Sequence, residues 1–171
     1  MSDVAPGRAD ALEGVTALYQ AHALGLIRLA VVMLGDRPAA EDVVQEAFTG
    51  LYRRWHTLTD PGKALSYVRS SVLNGARSAL RRRARQPAAP CDPAAGSASA
   101  EAAVLLSEEH SEVLEAIRRL PDRQREALVL RFYLDLDEED IARSMGISRG
   151  TVKSTTSRAL AALRRTLGEH S

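Results

Sequence analysis

Apolar side chains recur at helical spacing along most of the 171 residues. In the first half the pattern predicts helices over 17–34, 39–55 and 64–85. In the second half it predicts helices over 107–120, 121–133 and 137–146, and a last one within 145–165. Neither half alternates apolar and polar positions as a half-buried strand does, and Gly and Pro mark the breaks between the helices. The chain is therefore predicted to be all-α.

A stretch rich in Pro and small residues, QPAAPCDPAAGSASA, divides the chain at residues 86–100. Such a composition is typical of a flexible linker. We predict two small helical domains, at 12–85 and 107–168, joined by a linker at 86–106. The single cysteine, Cys91, lies in this linker and cannot form a disulfide framework.

The net charge of +1 conceals strong segregation of charge along the sequence. Residues 51–86 carry nine Lys and Arg against one acid, whereas residues 87–117 carry six acids and no base. Of the 23 basic residues 21 are Arg, which codon usage in a GC-rich genome would also produce. Codon usage does not explain the blocks, and blocks of this kind indicate a polyanionic partner.

The segment EEDIARSMGISRGTVKSTTSRAL has the spacing of a helix-turn-helix. Gly146 can end the first helix in the left-handed conformation, Ile147 fills the corner, and Ser148 is a good N-cap for the second helix. From residue 145 to 165 there are five bases and no acid, which suits a helix that enters a major groove. The alternative is an ordinary amphipathic surface helix. The outward residues of the second helix are Arg149, Thr151, Lys153, Ser154, Ser157 and Arg158.

The helix at 64–85 has an outer face that mixes an aromatic ring, an amide, hydroxyls and guanidinium groups. This mixture suits single-stranded or partly opened DNA, because rings stack on bases and Arg follows the backbone. A solvated Arg-rich helix is the alternative. The candidate DNA-binding residues on this face are Tyr67, Asn74, Arg77, Ser78 and Arg81.

Three segments together resemble a bacterial RNA polymerase sigma factor of the small extracytoplasmic-function type. They are PAAEDVVQEAFTGLYRRW, SYVRSSVLNGARSALRRR and LPDRQREALVLRFYLDLDEEDIARSMGISRGTVKSTTSRALAALRR. The form GTVKSTTSRAL is most similar to an actinobacterial subgroup. The resemblance covers nearly all of the chain after about residue 12.

The resemblance implies an alternative sigma factor that binds core RNA polymerase and directs promoter-specific initiation. It places −10 recognition and strand opening on the helix at 64–85, and −35 recognition on the last helix. It implies polymerase binding by the polar face of the helix at 39–55, formed by Asp42, Gln45, Glu46 and Thr49. Thr155 stands where many relatives have Arg, and Ser157 replaces a larger residue in some, so the promoter sequence is not predicted.

The loop at 56–63 corresponds to the pocket for a flipped −10 base, without a contact that can be assigned to one residue. The acidic linker corresponds to the tether in the RNA exit path, where Asp92 and Glu101 could imitate nascent RNA or simply favour solubility. An anti-sigma protein is left open as a further partner.

Other classes of protein fit the sequence less well. A response regulator or a simple repressor would leave 39–85 unexplained. A helical adaptor that binds only protein is a further alternative, and it predicts no salt-dependent association with DNA. The four His are scattered, and there is no phosphate-binding loop or nucleophile motif. We expect no enzyme activity, metal, cofactor or small-molecule substrate. The N-terminus lacks the pattern of a signal peptide. The sequence also indicates no apolar run that approaches the ~18–20 residues needed to span a membrane. The expected location is therefore the cytoplasm, without membrane insertion.

Overall fold

The computed structural model describes residues 6–86 and 108–168, and the regular elements in both ranges are helices. They are α1 (Pro6–Leu34), α2 (Arg37–Arg54), α3 (Ala64–Arg85), α4 (Glu108–Arg118), α5 (Asp122–Leu128), α6 (Glu138–Met145) and α7 (Arg149–Gly168). A π-helical turn, Val129–Tyr133, continues α5. The all-α prediction is confirmed. The linker prediction, including the role suggested for Asp92 and Glu101, lies outside the described residues.

The N-terminal helices α1, α2 and α3 pack against one another along their apolar faces. A polar cap fixes where α2 begins: the Asp36 carboxylate accepts a hydrogen bond from Ala39 N at 3.5 Å. The apolar side chains Val44, Ala47, Phe48 and Leu51 of α2 are buried, and Trp55, directly after the helix, is partly exposed. Helix α3 begins and ends where the sequence predicts, whereas α1 begins eleven residues earlier, at Pro6 rather than residue 17.

Helix α1 corrects one sequence prediction. Within the described ranges, Arg8–Leu34 is long and apolar enough to cross a membrane by length and composition. The prediction that no apolar run approaches such a length is therefore wrong, because few polar side chains interrupt this part of α1. Length and composition do not separate a membrane span from a core helix, and Leu26, Leu29 and Met33 of α1 are buried in the core.

Helices α6 and α7 form the predicted helix-turn-helix. Gly146 ends α6 in the left-handed conformation, with φ +65°, and Ile147 packs against the core. Ser148 Oγ accepts a hydrogen bond from Thr151 N at 3.1 Å and so caps α7. At the start of α6 the Asp137 carboxylate accepts from Asp140 N at 2.7 Å. These polar caps set the angle at which α7 projects from the domain.

The two helical domains share one core. A single cluster of buried apolar side chains runs from Leu29 of α1 through Val72 of α3 to Leu130, Ile141 and Val152 of the C-terminal domain. The sequence predicted two tethered domains and did not predict that they dock. A smaller cluster of Leu120, Leu128 and Ala159 lies within the C-terminal domain.

Two arginines, one from each domain, donate to the end of α1, where a helix leaves carbonyl groups without intrahelical partners. Arg125 of α5 is buried and donates from Nη1 to Met33 O at 3.0 Å. Arg83 of α3 donates from Nη1 to Leu34 O at 2.6 Å. Burial lowers the pKa of Arg125, and the neighbouring Asp122 partly opposes this.

Candidate nucleic-acid and polymerase interface

The outer face of α7 is open to solvent. Arg149, Thr151, Lys153, Ser157 and Arg158 are exposed, and Ser154 is partly buried. The inner face of α7 is held by Val152 and Ala159, which are 1% and 0% exposed. The sequence placed these two faces correctly, because the apolar positions follow the helical period. The helix therefore presents a face with basic and no acidic side chains, as a helix that binds in the major groove requires.

One acid stands close to this face. Glu138 Oε2, in the first turn of α6, lies 3.8 Å from Arg149 Nη2 and 3.7 Å from Lys153 Nζ. Both basic side chains are 65% exposed, so these ion pairs are weak, and Arg149 and Lys153 stay available to bind another anion. The acids of α6 also suit its N-terminal turn, where the helix dipole favours negative charge.

The α3 candidates do not form one open face. Asn74 and Arg81 are exposed, whereas Tyr67, Arg77 and Ser78 are partly buried. Tyr67 packs against the core, with its hydroxyl beside Gly50 of α2. Arg81 Nη2 donates to Ser78 Oγ at 3.2 Å, one turn away.

Arg77 is held by an acid from the other domain. Its Nε donates to Glu126 Oε1 at 2.7 Å, and its Nη2 donates to Glu126 Oε2 at 2.6 Å. Its Nη1 donates to Asn74 Oδ1 at 2.9 Å. The Glu126 side chain is fully buried and the Arg77 side chain is 18% exposed. One of the five α3 candidates, Arg77, is thus engaged in a contact between the domains, and it also holds a second candidate, Asn74, on the same helix.

The α2 candidates share one exposed face. Asp42, Gln45, Glu46 and Thr49 are all exposed, and they lie opposite the buried Val43, Val44, Ala47 and Phe48. Thr49 Oγ1 donates to Gln45 O at 2.8 Å, which fixes its side chain against the helix. The two carboxylates lie one turn apart, so the face is acidic and polar.

The segment between α2 and α3 contains two short 3-10 turns, at Trp55–Thr57 and Pro61–Lys63. The Asp60 carboxylate accepts from Gly62 N at 2.9 Å and fixes the second turn. His56, Thr57 and Lys63 are exposed. Like the sequence, the geometry of this loop does not assign a contact with a DNA base to any particular side chain.

The residue that sequence reasoning missed is Glu126. It occupies a position on α5 that the helical period places with Ala127 and Leu130 in the core, and a charged residue there was a signal that it has a partner. The partner, Arg77, is 49 residues away, and no local pattern links the two. Among residues 6–86 and 108–168, no group of three or more His, Cys, Asp or Glu could hold a metal ion.

Comparisons with known proteins identify the family of the chain. Sigma-70 region 2 matches residues 18–86, and Sigma-70 region 4 matches residues 110–163. The RNA polymerase sigma-E factor of Streptomyces coelicolor is 32% identical over 152 residues, which cover 83% of this chain and 79% of that protein. The extracytoplasmic-function (ECF) RNA polymerase sigma factor SigM of Mycobacterium tuberculosis is 32% identical over 151 residues, which cover 88% and 76%.

A solved structure has the same fold. The sigma factor RpoE, in complex with the anti-sigma factor NepR from Bartonella quintana, superposes with a TM-score of 0.67 at 23% identity. The superposition covers 89% of this chain and 97% of that one. The chain belongs to the extracytoplasmic-function sigma factors and is an alternative sigma factor that directs promoter-specific transcription initiation.

Proposed function

We propose that three surfaces of this sigma factor divide the work of initiation. The α2 face, formed by Asp42, Gln45, Glu46 and Thr49, binds core RNA polymerase. Helix α3 recognises and opens the −10 element through Tyr67, Asn74, Arg77, Ser78 and Arg81. Helix α7 reads the −35 element through Arg149, Thr151, Lys153, Ser154, Ser157 and Arg158.

In this proposal residues 12–85 act as the polymerase-binding and −10 domain, residues 107–168 act as the −35 domain, and 86–106 tether them. One observation supports this proposal above all: the outer face of α7 has basic and no acidic side chains, and its buried inner face holds it in a helix-turn-helix. The basic side chains of such a face contact phosphate groups, and a few side chains reach the edges of the DNA bases. The sigma factor itself catalyses no reaction and acts in the cytoplasm, where it meets the polymerase.

The α7 assignment is tested with Arg158→Ala in reconstituted transcription. The variant should lose about 5- to 150-fold in initiation at a −35-dependent promoter, since one Arg contact to DNA is worth ~1–3 kcal/mol. Its affinity for core polymerase should not change. Arg164→Ala is the matched control, because Arg164 is an exposed base on the same helix and is not a proposed reader. Equal losses in both variants would show that only overall charge matters.

The α2 assignment predicts the opposite pattern for Asp42→Arg. Reversing the charge of this exposed face should weaken binding to core polymerase at least tenfold and reduce initiation at all promoters alike. Glu13→Arg makes the same charge change on the exposed surface of α1 and should bind polymerase normally. Wild-type affinity of Asp42→Arg for polymerase would remove α2 from the polymerase interface.

A protein inhibitor is a further partner in this proposal. The support is the RpoE structure, in which a sigma factor of the same fold is bound to the anti-sigma factor NepR. A small protein encoded beside this gene should form a complex with the chain and block initiation by the reconstituted polymerase. Neighbouring proteins that neither bind nor inhibit would count against it.

A further inference from the structure

The arginine-rich end of α3 does not face one way. Residues 81–86 are all exposed, and four of them are arginines, at positions 81, 82, 83 and 85. Arg83 continues the buried stripe of α3, because it lies two helical turns after the buried Ala76 and one turn after the partly buried Leu80. The helical period therefore turns Arg83 towards α1 and α2, whereas Arg81 lies on the outer face of α3.

Arg83 ties the end of α3 to the turn between α1 and α2. Its Nη1 donates to Leu34 O at 2.6 Å, one of the carbonyl groups that the end of α1 leaves without an intrahelical partner. Its Nη2 donates to Asp36 Oδ2 at 2.9 Å, and Oδ1 of the same carboxylate accepts from Ala39 N at the start of α2. Gly35, with φ +67°, makes the turn that brings both acceptors to one guanidinium group.

The last turn of α3 has little other support. Among the hydrogen bonds and ion pairs that the structure describes for residues 81–86, those of Arg83 alone lead to another helix. Arg81 and Arg85 lie one turn apart and repel each other, and the last carbonyl groups of a helix lack intrahelical partners. The contact with Asp36 neutralises one charge of this run and anchors the turn, so the position of the other arginines depends on it.

We propose that Arg83 is a positioning residue for −10 recognition. It does not contact DNA; it fixes the last turn of α3 to the rest of its domain, so that Arg81 and Arg85 are held where the DNA backbone passes. This inference rests on the −10 role proposed for α3. Its consequence is that Asp36, an acid that repels DNA, is needed for DNA binding.

Asp36→Asn separates a positioning residue from a phosphate contact by the sign of its effect. Asn is as good an N-cap as Asp, so the start of α2 is kept while the ion pair with Arg83 is lost. Loss of a negative charge would by itself strengthen DNA binding. We expect weaker binding instead, by about 3- to 5-fold, which is the size expected for the loss of one exposed ion pair.

The measurement uses the full chain assembled with core polymerase. The probe is a labelled fragment of a promoter that the wild type uses, double-stranded at −35 and single-stranded through −10, and anisotropy reports its affinity. Glu13→Gln is the charge control, since it removes an exposed acid from α1, and it should not weaken binding. Arg83→Gln should match the loss of Asp36→Asn, and the double variant should lose no more, because both changes break the same interaction.

Two further readouts distinguish lost positioning from general damage. The side chains of Arg83 and Asp36 are 41% and 42% exposed, so both variants should keep the melting temperature and the affinity for core polymerase. Hydrogen exchange of the free chain should become faster at the amides of residues 83–86 and stay unchanged in α1 and α2. Unchanged exchange at residues 83–86 would overturn the inference, because the turn would then hold without Arg83.

Arg81→Gln, a change of a proposed −10 residue, keeps the failure of the inference apart from the failure of the −10 role. A loss in Arg83→Gln without a loss in Asp36→Asn would show that Arg83 contacts DNA directly, and the inference would be wrong. It would also be wrong if Arg81→Gln alone bound more weakly. If none of the three variants weakened binding, the −10 role of α3 would be rejected, and positioning by Arg83 with it.

Discussion

Single acidic residues pair with basic side chains of the proposed DNA-binding surfaces, and DNA has to compete with these acids. Glu138 lies within 4 Å of Arg149 and Lys153, and Glu126 binds Arg77. The two acids differ in burial, since the Glu138 side chain is 32% exposed and that of Glu126 is 0% exposed. Water screens the two contacts of Glu138 and not the buried pair of Glu126, so we expect the Glu138 contacts to weaken DNA binding only slightly.

Glu138→Gln should raise affinity for mixed-sequence duplex DNA about 2- to 5-fold at low salt, since an exposed ion pair is worth up to ~1 kcal/mol. The gain should shrink as salt is added. Glu139→Gln removes the same charge from the same helix, but its nearest base is Arg143, at 4.0 Å, which lies on α6. Fluorescence anisotropy with labelled DNA measures both. A gain of the same size in both variants would show that Glu138 has no particular effect on α7.

The elements were largely readable from the sequence, because their signals are local. Periodic apolar positions gave α3 and the two faces of α7, and Gly146 and Ser148 gave the turn between α6 and α7. The start of α1 was missed, since the segment before residue 17 contains Gly7 and Gly14, which are poor helix formers. Which helices touch each other was not readable: an apolar stripe shows that a face is buried and does not identify its partner.

Close approach of α1 to Trp55, directly after α2, depends on Gly14. A Cβ atom at this position would lie 2.2 Å from Trp55 Cζ2, so the ring has to move in Gly14→Ala. The gain in helix propensity, ~1 kcal/mol, is outweighed by ~1–3 kcal/mol of overpacking. We expect a lower melting temperature and altered emission from Trp55, the single Trp of the chain.

The matched control for this substitution is Gly150→Ala. A Cβ atom there meets only Ser148 Oγ, at 3.9 Å, which is ordinary van der Waals contact. This variant should be slightly more stable than the wild type, because helix propensity acts alone. If Gly14→Ala is stabilised to the same extent, the ring of Trp55 does not pack on α1 in solution.

The whole molecule behaves as one unit only if the domains are docked. Tethered domains with separate cores would unfold independently, whereas the shared cluster of Leu29, Val72 and Leu130 predicts a single cooperative transition. The sequence could not settle this. The contacts that join the domains, such as Arg125 to Met33 O, link residues 92 positions apart. Composition and periodicity contain no information on such pairs.

Leu130→Ala tests the shared core, because Leu130 is fully buried in the C-terminal domain while Trp55 reports on the N-terminal domain. Removing this side chain costs ~2–5 kcal/mol, which corresponds to about 5–15 °C in melting temperature. Trp55 fluorescence and circular dichroism should shift together. Leu24→Ala, at a residue that is 58% exposed, should shift neither. If the Trp55 transition stays in place while circular dichroism moves, the domains unfold separately.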